Sequence, residues 1–196
     1  MKKSWIILIV IILIALLIFS SFKRNYNRMV SLNENVTKQW SNVESVYQRR
    51  LDLIPNLVNT VKGYANFEKE TLTQVIEARS KATSATIDPN NINPENLQNF
   101  QQMQGALSSA LSRLLVVVER YPDLKANQNF LDLQAQLEGT ENRISVERIK
   151  FNEAAQYYNT YIKKFPQNIY ANMFNFDEKA YFAAEKSAAE APKVEF

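Results

Sequence analysis

An uninterrupted apolar stretch near the N-terminus constrains this chain more than any other feature. Residues 5–22 read WIILIVIILIALLIFSSF and carry no charged side chain. As a helix with a rise of about 1.5 Å per residue, they extend roughly 27 Å, close to the bilayer hydrocarbon thickness of about 30 Å. Lipid offers no hydrogen-bond partners to a backbone, so a single segment can cross it only as a helix. The stretch therefore predicts a transmembrane anchor which, with its basic flanks, occupies residues 1–25.

A cleaved secretory signal is the alternative interpretation of this stretch. Ser20 and Ser21 are small enough for processing, but Phe19 and Phe22 occupy positions where a cleavage site requires small side chains. The chain also contains no cysteine to which lipid could be attached. We therefore predict that the segment is retained as an anchor.

The charges that flank the anchor give conflicting indications of its orientation. Lys2 and Lys3 precede it, whereas basic residues follow it at positions 23, 24, 28 and 38. The larger number after the anchor favours a cytoplasmic domain, because basic flanks are retained on that side. The Met-Lys-Lys start is typical of a cytoplasmic n-region and favours the opposite orientation. Both orientations stay open, with the basic count favouring the cytoplasmic one.

The composition excludes several kinds of chemistry. The 196 residues contain no histidine and no cysteine. The commonest general base, thiolate nucleophiles, disulfides and the usual nitrogen and sulfur metal ligands are therefore excluded. There is no Gly-rich phosphate loop, and no pair of carboxylates has a spacing that requires acid–base or cation chemistry. We predict that the protein is not an enzyme and has no metal and no cofactor.

The charge balance bears on the class of partner. Of the 23 basic residues, all except Lys2 and Lys3 follow the anchor, where 20 acidic residues balance them. Nucleic-acid-binding domains usually carry a basic stripe, so this balance predicts that the protein has no nucleic-acid partner.

Apolar residues after the anchor recur at three- and four-residue steps, which predicts long helices. The first helix continues from the anchor to about Gly63. Pro55 lies inside it and removes the amide that would bond to the carbonyl of Leu51, so a kink is expected there rather than an end.

Three more helices follow in the prediction. The second covers residues 68–84, the third runs from Pro94 to about Tyr121, and Pro166 ends the fourth. The residues predicted to face inward are Trp40, Val43, Tyr47, Ile54, Val58, Val61, Leu72, Val75, Ile76, Leu107, Leu111, Leu114, Val118, Phe130, Leu133, Leu137, Ile144, Phe151, Ala154, Ala155, Tyr158, Ile162 and Phe165.

These elements define an all-α fold in which a transmembrane helix precedes an antiparallel, up-and-down bundle of long helices. The bundle is predicted to cover residues 26–176. Residues 177–196 form a C-terminal tail in which aromatic residues occur without a long helical period.

Two clusters of polar residues are candidate sites. The first surrounds the proline of the first helix and comprises Arg49, Arg50, Asp52, Pro55 and Asn56. Its arginines are suited to phosphate or carboxylate, and its aspartate to an arginine of the same cluster or of another helix. The alternative is a charge cluster that only stabilises the helix.

The second cluster lies beside the apolar stripe of the fourth helix. It comprises Glu141, Asn142, Arg143, Arg148 and Asn152, with Asn159 one heptad further. A partly buried polar layer that fixes helix register is favoured over a ligand site, because unpaired polar groups in a core are costly.

The tail offers a third candidate. Val194 and Phe196 form an apolar-x-apolar end of the kind that PDZ-type grooves bind by strand addition and carboxylate capture. The alternative is a tail that packs on its own bundle.

At these same segments the chain resembles the LemA family of bacterial membrane proteins. The resemblance rests on RRLDLIPNLV at 49–58, VKGYA at 61–65, LSRLLVVVE at 111–119, YPDLKA at 121–126, LEGTENRI at 137–144, FP at 165–166 and PKV at 192–194. It implies a single N-terminal anchor in the bacterial cell membrane and an antiparallel helical bundle, and it implies no particular reaction. Phe67 stands where the family often carries histidine, so a metal-binding role for that position does not carry over.

Three hypotheses for function follow. The first is a membrane-anchored scaffold whose partners are the lipid bilayer and other membrane proteins. The second is an adaptor or regulator of a membrane protease or envelope-stress system, acting through the tail. The third is self-assembly that remodels membrane, because heptad-spaced apolar residues can pair helices between chains in a homo-oligomeric coiled coil.

Overall fold

Six helices and no strand make up residues 3–64 and 68–183, the parts of the chain that this computed structural model describes. The helices are α1 (Lys3–Lys62), α2 (Lys69–Ser84), α3 (Pro94–Val118), α4 (Pro122–Lys125), α5 (Gln128–Lys163) and α6 (Gln167–Phe174). The predicted all-α class is confirmed.

Helix α1 is one unbroken helix of 60 residues that contains both the apolar stretch and the first element of the bundle. Its apolar side chains are exposed from Trp5 to Phe19. From Met29 onward, one face of the helix is buried. Within the described ranges, α1 is the one helix whose length and composition suffice to cross a membrane. The apolar stretch at residues 5–22, which we call the candidate span, is therefore joined to the bundle by continuous helix rather than by a loop.

Helices α1 and α5 lie antiparallel along most of their packed length. At the end nearest the candidate span, Tyr161 Oη donates a hydrogen bond of 2.9 Å to Asn25 Oδ1. At the far end, Val61 of α1 and Phe130 of α5 belong to the same apolar cluster. Helix α2 packs mainly on α3, and this pair lies against the same bundle.

The buried side chains form two apolar clusters. The proximal core, nearer the candidate span, contains Met29, Val36, Trp40, Val43, Tyr47, Ile87, Ile92, Leu97, Phe100, Ile144, Phe151, Ala154, Ala155, Tyr158, Ile162, Ala171 and Phe182. The distal core contains Leu51, Ile54, Leu57, Val58, Val61, Leu72, Val75, Ala82, Leu107, Ala110, Leu111, Leu114, Val118, Leu124 and Phe130.

Most residues predicted to face inward are buried, but the prediction is wrong at Ile76 and Phe165. Their side chains are 44% and 79% exposed. Ile76 lies about 100° around α2 from Val75, which is the residue that faces α3 and α1. Phe165 follows the end of α5, so the seven-residue period no longer determines its direction. Leu133 and Leu137 are half-buried against the distal core.

Two helix ends differ from the sequence prediction. Helix α3 ends at Val118, and the short α4 begins at Pro122, whose ring suits a first helical position. Helix α6 was not predicted, because eight residues are too few to show a clear period. At its end Asn175 has a φ of 56°, the left-handed conformation that asparagine tolerates after a helix.

A side chain from another helix compensates for the proline inside α1. Pro55 has no amide hydrogen, so the carbonyl of Leu51 loses its usual partner four residues on. Arg79 of α2 donates to this carbonyl through Nε at 2.9 Å. Helix α1 continues past Pro55 to Lys62. The proline therefore creates an acceptor through which α2 is attached to α1.

This arrangement predicts energetic coupling between Pro55 and Arg79. In the native sequence, Arg79→Met should lower the free energy of unfolding by about 1–2 kcal/mol, because a part-buried carbonyl loses its donor. In a Pro55→Ala background the cost should fall by about 1 kcal/mol, since the alanine amide bonds to Leu51. Urea unfolding of the four proteins in mild detergent measures the coupling. Arg113→Met, at an exposed site on α3, is the control, and equal costs in both backgrounds would contradict the prediction.

Candidate functional site

A buried arginine lies where the two cores meet. Only 2% of Arg50 is exposed. Its Nη1 donates to Ser108 Oγ and to Glu141 Oε2, each at 2.9 Å, and its Nη2 donates to the side-chain oxygen of Gln104. The guanidinium also lies 5.0 Å from the centre of the Tyr47 ring. The polar layer around Arg50 therefore joins α1, α3 and α5.

The layer extends to a fourth helix through Gln104. This buried side chain donates from Nε2 to the carbonyl of Ala82 on α2 at 3.3 Å. Because each of these bonds forms only in one alignment of the helices, the layer fixes their register. Glu141 is half-exposed, so water can reach one end of the ion pair. Among the described residues, Arg50 Nε has no hydrogen-bond partner, but both terminal nitrogens of the guanidinium are engaged within the fold.

The other members of the first predicted cluster do not join Arg50. Arg49, Asp52, Pro55 and Asn56 are exposed on α1. Asp52 accepts a hydrogen bond of 2.7 Å from Gln48 Nε2 rather than from an arginine. The structure therefore separates a buried structural arginine from an exposed charged surface.

The second predicted cluster divides in the same way. Glu141 pairs with Arg50, so the two clusters meet at this one contact. Asn142 and Arg143 are exposed. Arg148 and Asn152 instead contact a stretch of chain that follows α6. We call residues 175–183 the return segment, because they run back along α5.

Two asparagines of α5 bind the backbone of the return segment. Asn152 accepts from the amide of Phe182 at 2.8 Å and donates to its carbonyl at 3.0 Å. Asn159 likewise accepts from the amide of Lys179 at 2.9 Å and donates to its carbonyl at 2.8 Å. Seven helical residues rise about 10.5 Å, and three extended residues span about 10 Å. The two spacings match, so an antiparallel strand-like segment is bound by one helix face.

Further contacts hold the return segment between α5 and the loop before α3. Ala180 donates from its amide to the carbonyl of Ile92 at 3.0 Å. Lys179 Nζ donates to the carbonyl of Asn90 at 2.8 Å. At the end of the segment, Arg148 and Gln101 donate to the carbonyl of Ala183 at 2.8 and 3.3 Å.

Phe182 is the apolar contribution of the return segment. Its ring stacks on Trp40 at 6.0 Å between centroids and meets Phe151 edge-on at 5.4 Å. Residues 177–183, which were predicted to belong to the tail, are thus held on the bundle, and Phe182 and Ala180 among them pack on the proximal core. The heptad spacing of Asn152 and Asn159 was the sequence signal for this interaction. The candidate docking residues Val194 and Phe196, and the departure at Phe67, lie outside the described residues.

Burial shifts the pKa of two groups beside this segment. Burial, with a smaller contribution from the Asp177 carboxylate, raises the pKa of Tyr158 from 10.0 to about 12. Its hydroxyl donates to the carbonyl of Asp177 at 3.0 Å. Burial lowers the pKa of Lys179, and the carboxylates of Asp177 and Asp88 partly oppose that shift.

The raised pKa predicts an alkaline loss of stability that depends on Tyr158. Its contribution is fully present below pH 10.0 and is lost as pH rises towards about 12, because the unfolded chain releases the proton first. The loss amounts to about 2 kcal/mol. Tyr158→Phe should remove it, so the stability difference between native protein and variant should shrink over this pH range. Lys179 is present in both proteins and cancels. Urea unfolding across the range measures the difference, and a difference that does not change with pH would contradict the prediction.

An open groove of about 630 Å³ lies between α1 and α5 towards the candidate span. It is lined by Arg28, Leu32, Asn35, Gln156, Tyr157, Thr160, Tyr161 and Lys164. These side chains include two cations and no carboxylate, so the groove does not offer paired acid–base groups. Within residues 3–64 and 68–183, no three carboxylates are grouped as a metal site would require.

The fold and its polar contacts define an α-helical bundle protein whose first helix carries a candidate N-terminal membrane span. The model of the LemA family matches residues 39–196. The chain belongs to the LemA family, as the resemblance in its motifs predicted. The match begins within α1, after the apolar stretch at residues 5–22.

Three relatives show how much of the chain the similarity covers. Magnetosome protein MamQ 2 of Paramagnetospirillum magneticum is 27% identical over 96% of this chain and 75% of its own length. Magnetosome protein MamQ of Magnetospirillum gryphiswaldense is 27% identical over 86% of this chain and 68% of its own. Protein LemA of Metamycoplasma hominis is 27% identical over 94% of this chain and 80% of its own.

Proposed function

We propose that this protein is a non-enzymatic scaffold that is anchored in the bacterial cell membrane by a single span and recruits other membrane proteins. The observation that carries the proposal is the continuity of α1 from the candidate span into the bundle. A bundle attached by continuous helix presents its side faces at distances from the bilayer that the length of the helix sets. That property serves the recruitment of membrane partners better than a flexible attachment would.

The use of the polar residues supports a role without catalysis. The terminal nitrogens of Arg50 bond to Ser108, Gln104 and Glu141 inside the fold. The amides of Asn152 and Asn159 bind the return segment. These groups therefore hold the structure together, and in the described residues they are not grouped around a cavity where a substrate would bind.

The outer face of α5 is the best candidate surface for a partner. Val146, Ile149 and Tyr157 are exposed along it. Single exposed apolar residues are common on protein surfaces, but three on one helix face offer a contact area with an apolar centre. We therefore place partner binding on this face.

Site-specific photocrosslinking tests the scaffold function. A photoreactive amino acid at Ile149, in full-length protein expressed in its membrane, should capture the same membrane proteins in every replicate. The same group at Gln102, an exposed polar position on α3, is the matched control. A flexible Gly/Ser insertion after Lys23 should reduce the Ile149 products several-fold, because it removes the fixed placement. Crosslinking that is equal at both positions, or unaffected by the insertion, would overturn the proposal.

The side of the membrane on which the bundle lies needs a separate test. The basic residues after the anchor favour a cytoplasmic bundle. Because the chain has no cysteine, Lys125→Cys provides a single thiol at an exposed position of α4. A membrane-impermeant thiol reagent should then label the protein only after lysis. Labelling in intact cells would place the bundle outside and redirect the search for partners to the envelope.

Self-assembly that remodels membrane is a competing function, and the packing of α5 bears on how it would occur. The heptad residues Phe130, Ile144, Phe151 and Tyr158 are buried within one chain, so they are not available to pair chains. A homo-oligomer would need the outer face of α5. In the crosslinking experiment it would appear as a product of twice the monomer mass from Ile149.

Regulation through the tail is a second candidate, favoured by the way the tail begins. Arg148 and Gln101 donate to the carbonyl of Ala183, so the described chain is held on the bundle up to the residue before the candidate docking tail. Two aspartates appended after Phe196 should abolish capture by a PDZ-type groove at Val194 and Phe196. Binding that is unaffected by the appended residues would exclude this function.

A further inference from the structure

The chain reverses its direction through helix α6, at the end of the bundle nearest the candidate span. Helix α5 runs towards that end, where Tyr161 bonds to Asn25. The return segment then runs back along α5, from Asp177 near Tyr158 to Phe182 at Asn152. Helix α6 connects these two opposite runs, so it lies at the bottom of the bundle.

The inner face of α6 packs on α1 where the apolar stretch ends. Tyr170 and Phe174 contact the ring of Phe22 at 5.5 and 5.3 Å between centroids. Phe174 also contacts Tyr26 at 4.9 Å. Since Phe22 is the last residue of the apolar stretch, α6 lies at the depth where that stretch ends.

The other side of α6 carries an exposed apolar stripe. Phe165, Ile169 and Met173 follow one another at steps of four residues and are 79%, 51% and 60% exposed. Ile169 and Met173 lie four residues apart on one face of α6, and Phe165 is exposed in the short connection that leads into the helix. An apolar stripe of this kind on the surface of a bundle indicates an interaction site.

The charges around the stripe are those that suit an anionic surface. Lys23 and Arg24 of α1 are exposed beside Phe22, and Lys164 is exposed just before α6. Residues 163–176 contain two lysines and no acidic residue, and Asp177 and Glu178 follow directly. One of the two, Lys163, pairs with Glu178 at 2.6 Å. Basic side chains around an apolar helix face favour the headgroup region of an anionic bilayer.

We propose that the stripe formed by Phe165, Ile169 and Met173 inserts into the bilayer interface, as a second contact with lipid beside the span. If residues 5–22 cross the membrane, Phe22 lies at the boundary between hydrocarbon and headgroups, and its ring contacts place α6 at that boundary too. The occupant of the stripe is therefore lipid. The inference rests on the anchor of the proposed function, and the experiment below separates the failure of one from the failure of the other.

A second lipid contact has a consequence for the whole bundle. One span leaves a protein free to rotate about the helix axis and to change its tilt. Interfacial anchors restrict both motions. With α6 inserted on one side of α1, the bundle acquires a defined orientation relative to the membrane plane.

Fluorescence quenching in vesicles tests the position of the stripe. Full-length protein with Met173→Cys is labelled with the environment-sensitive fluorophore NBD and reconstituted in phosphatidylcholine vesicles that contain phosphatidylglycerol. Lipid with a nitroxide near the top of its acyl chain reports contact with the interface, and iodide reports contact with water. Labels at Phe19→Cys and Gln102→Cys are the references for hydrocarbon and for water. Ile169→Cys is a second position on the stripe, in case one label disturbs the fold.

We expect the labels at positions 173 and 169 to be quenched by the nitroxide lipid, with iodide quenching several-fold weaker than at position 102. Strong iodide quenching without nitroxide quenching would overturn the proposal. Protection from both quenchers would also overturn it, because a protein surface would then cover the stripe. Iodide access at position 19 would instead show that the span itself is wrong.

Discussion

Phe182→Ala should lower the free energy of unfolding by about 3–5 kcal/mol, the usual cost of removing a buried phenylalanine ring. The ring fills the proximal core between Trp40 and Phe151. It also lies beneath the guanidinium of Arg148, at 5.0 Å. Urea unfolding of full-length protein in mild detergent, followed by tryptophan fluorescence and circular dichroism, measures the change.

Val116→Ala is the control, because it removes apolar atoms from an exposed position on α3 that belongs to no proposed site. Its cost should stay within about 0.5 kcal/mol. A second readout comes from Lys179, a buried trypsin site in the return segment. Cleavage after Lys179 should become much faster in Phe182→Ala and not in the control. Equal cleavage rates and a stability loss no larger than that of Val116→Ala would show that the return segment does not contribute to the core.

Arg50→Ala should cost about 2–4 kcal/mol, because it leaves buried acceptors without donors and opens a void between the two cores. The buried Gln104 loses the partner of its side-chain oxygen, and Ser108 loses a donor. Glu141 contributes less to the cost, since its half-exposed carboxylate regains water. The same urea unfolding assay measures the effect.

Arg49→Ala is the matched control for this prediction. Arg49 is adjacent in sequence and exposed, so its removal should change stability by no more than about 0.5 kcal/mol. Glu141→Gln should cost less than about 1 kcal/mol, because Arg50 Nη1 keeps its bond to Ser108. If Arg49→Ala and Arg50→Ala cost the same, the polar layer does not hold the bundle together.

The sequence predicted those parts of the fold that follow a periodic pattern. The apolar stretch at residues 5–22 and the stripe from Phe130 to Tyr158 each consist of many apolar residues in a regular arrangement. One exception therefore does not obscure either pattern. The continuation of the first helix through Pro55 could be predicted because a proline removes one bond and leaves the others. Its compensation by Arg79 could not, since that contact comes from a helix 28 positions away.

The sequence indicated several residues of the candidate site, but it did not indicate how they are arranged in space. Arg50 and Glu141 were both named, but they are 91 positions apart, and only the tertiary packing brings them together. Asn152 was assigned to a polar layer between helices, whereas its amide binds the backbone of the return segment. A polar residue beside an apolar stripe shows that a partner is needed. The sequence does not show whether that partner is a side chain or another part of the backbone.

The unbroken helix α1 also makes the bundle a lever arm. From Phe22 to Lys62 the helix extends about 60 Å, at about 1.5 Å per residue. A change of about 10° in the tilt of the span would therefore displace the far end of the bundle sideways by roughly 10 Å, and spans change tilt when bilayer thickness changes. A difference of a few ångströms in thickness between two membranes would thus become a lateral movement of the far end of the bundle. That movement is large enough to bring this end into or out of reach of a neighbouring protein.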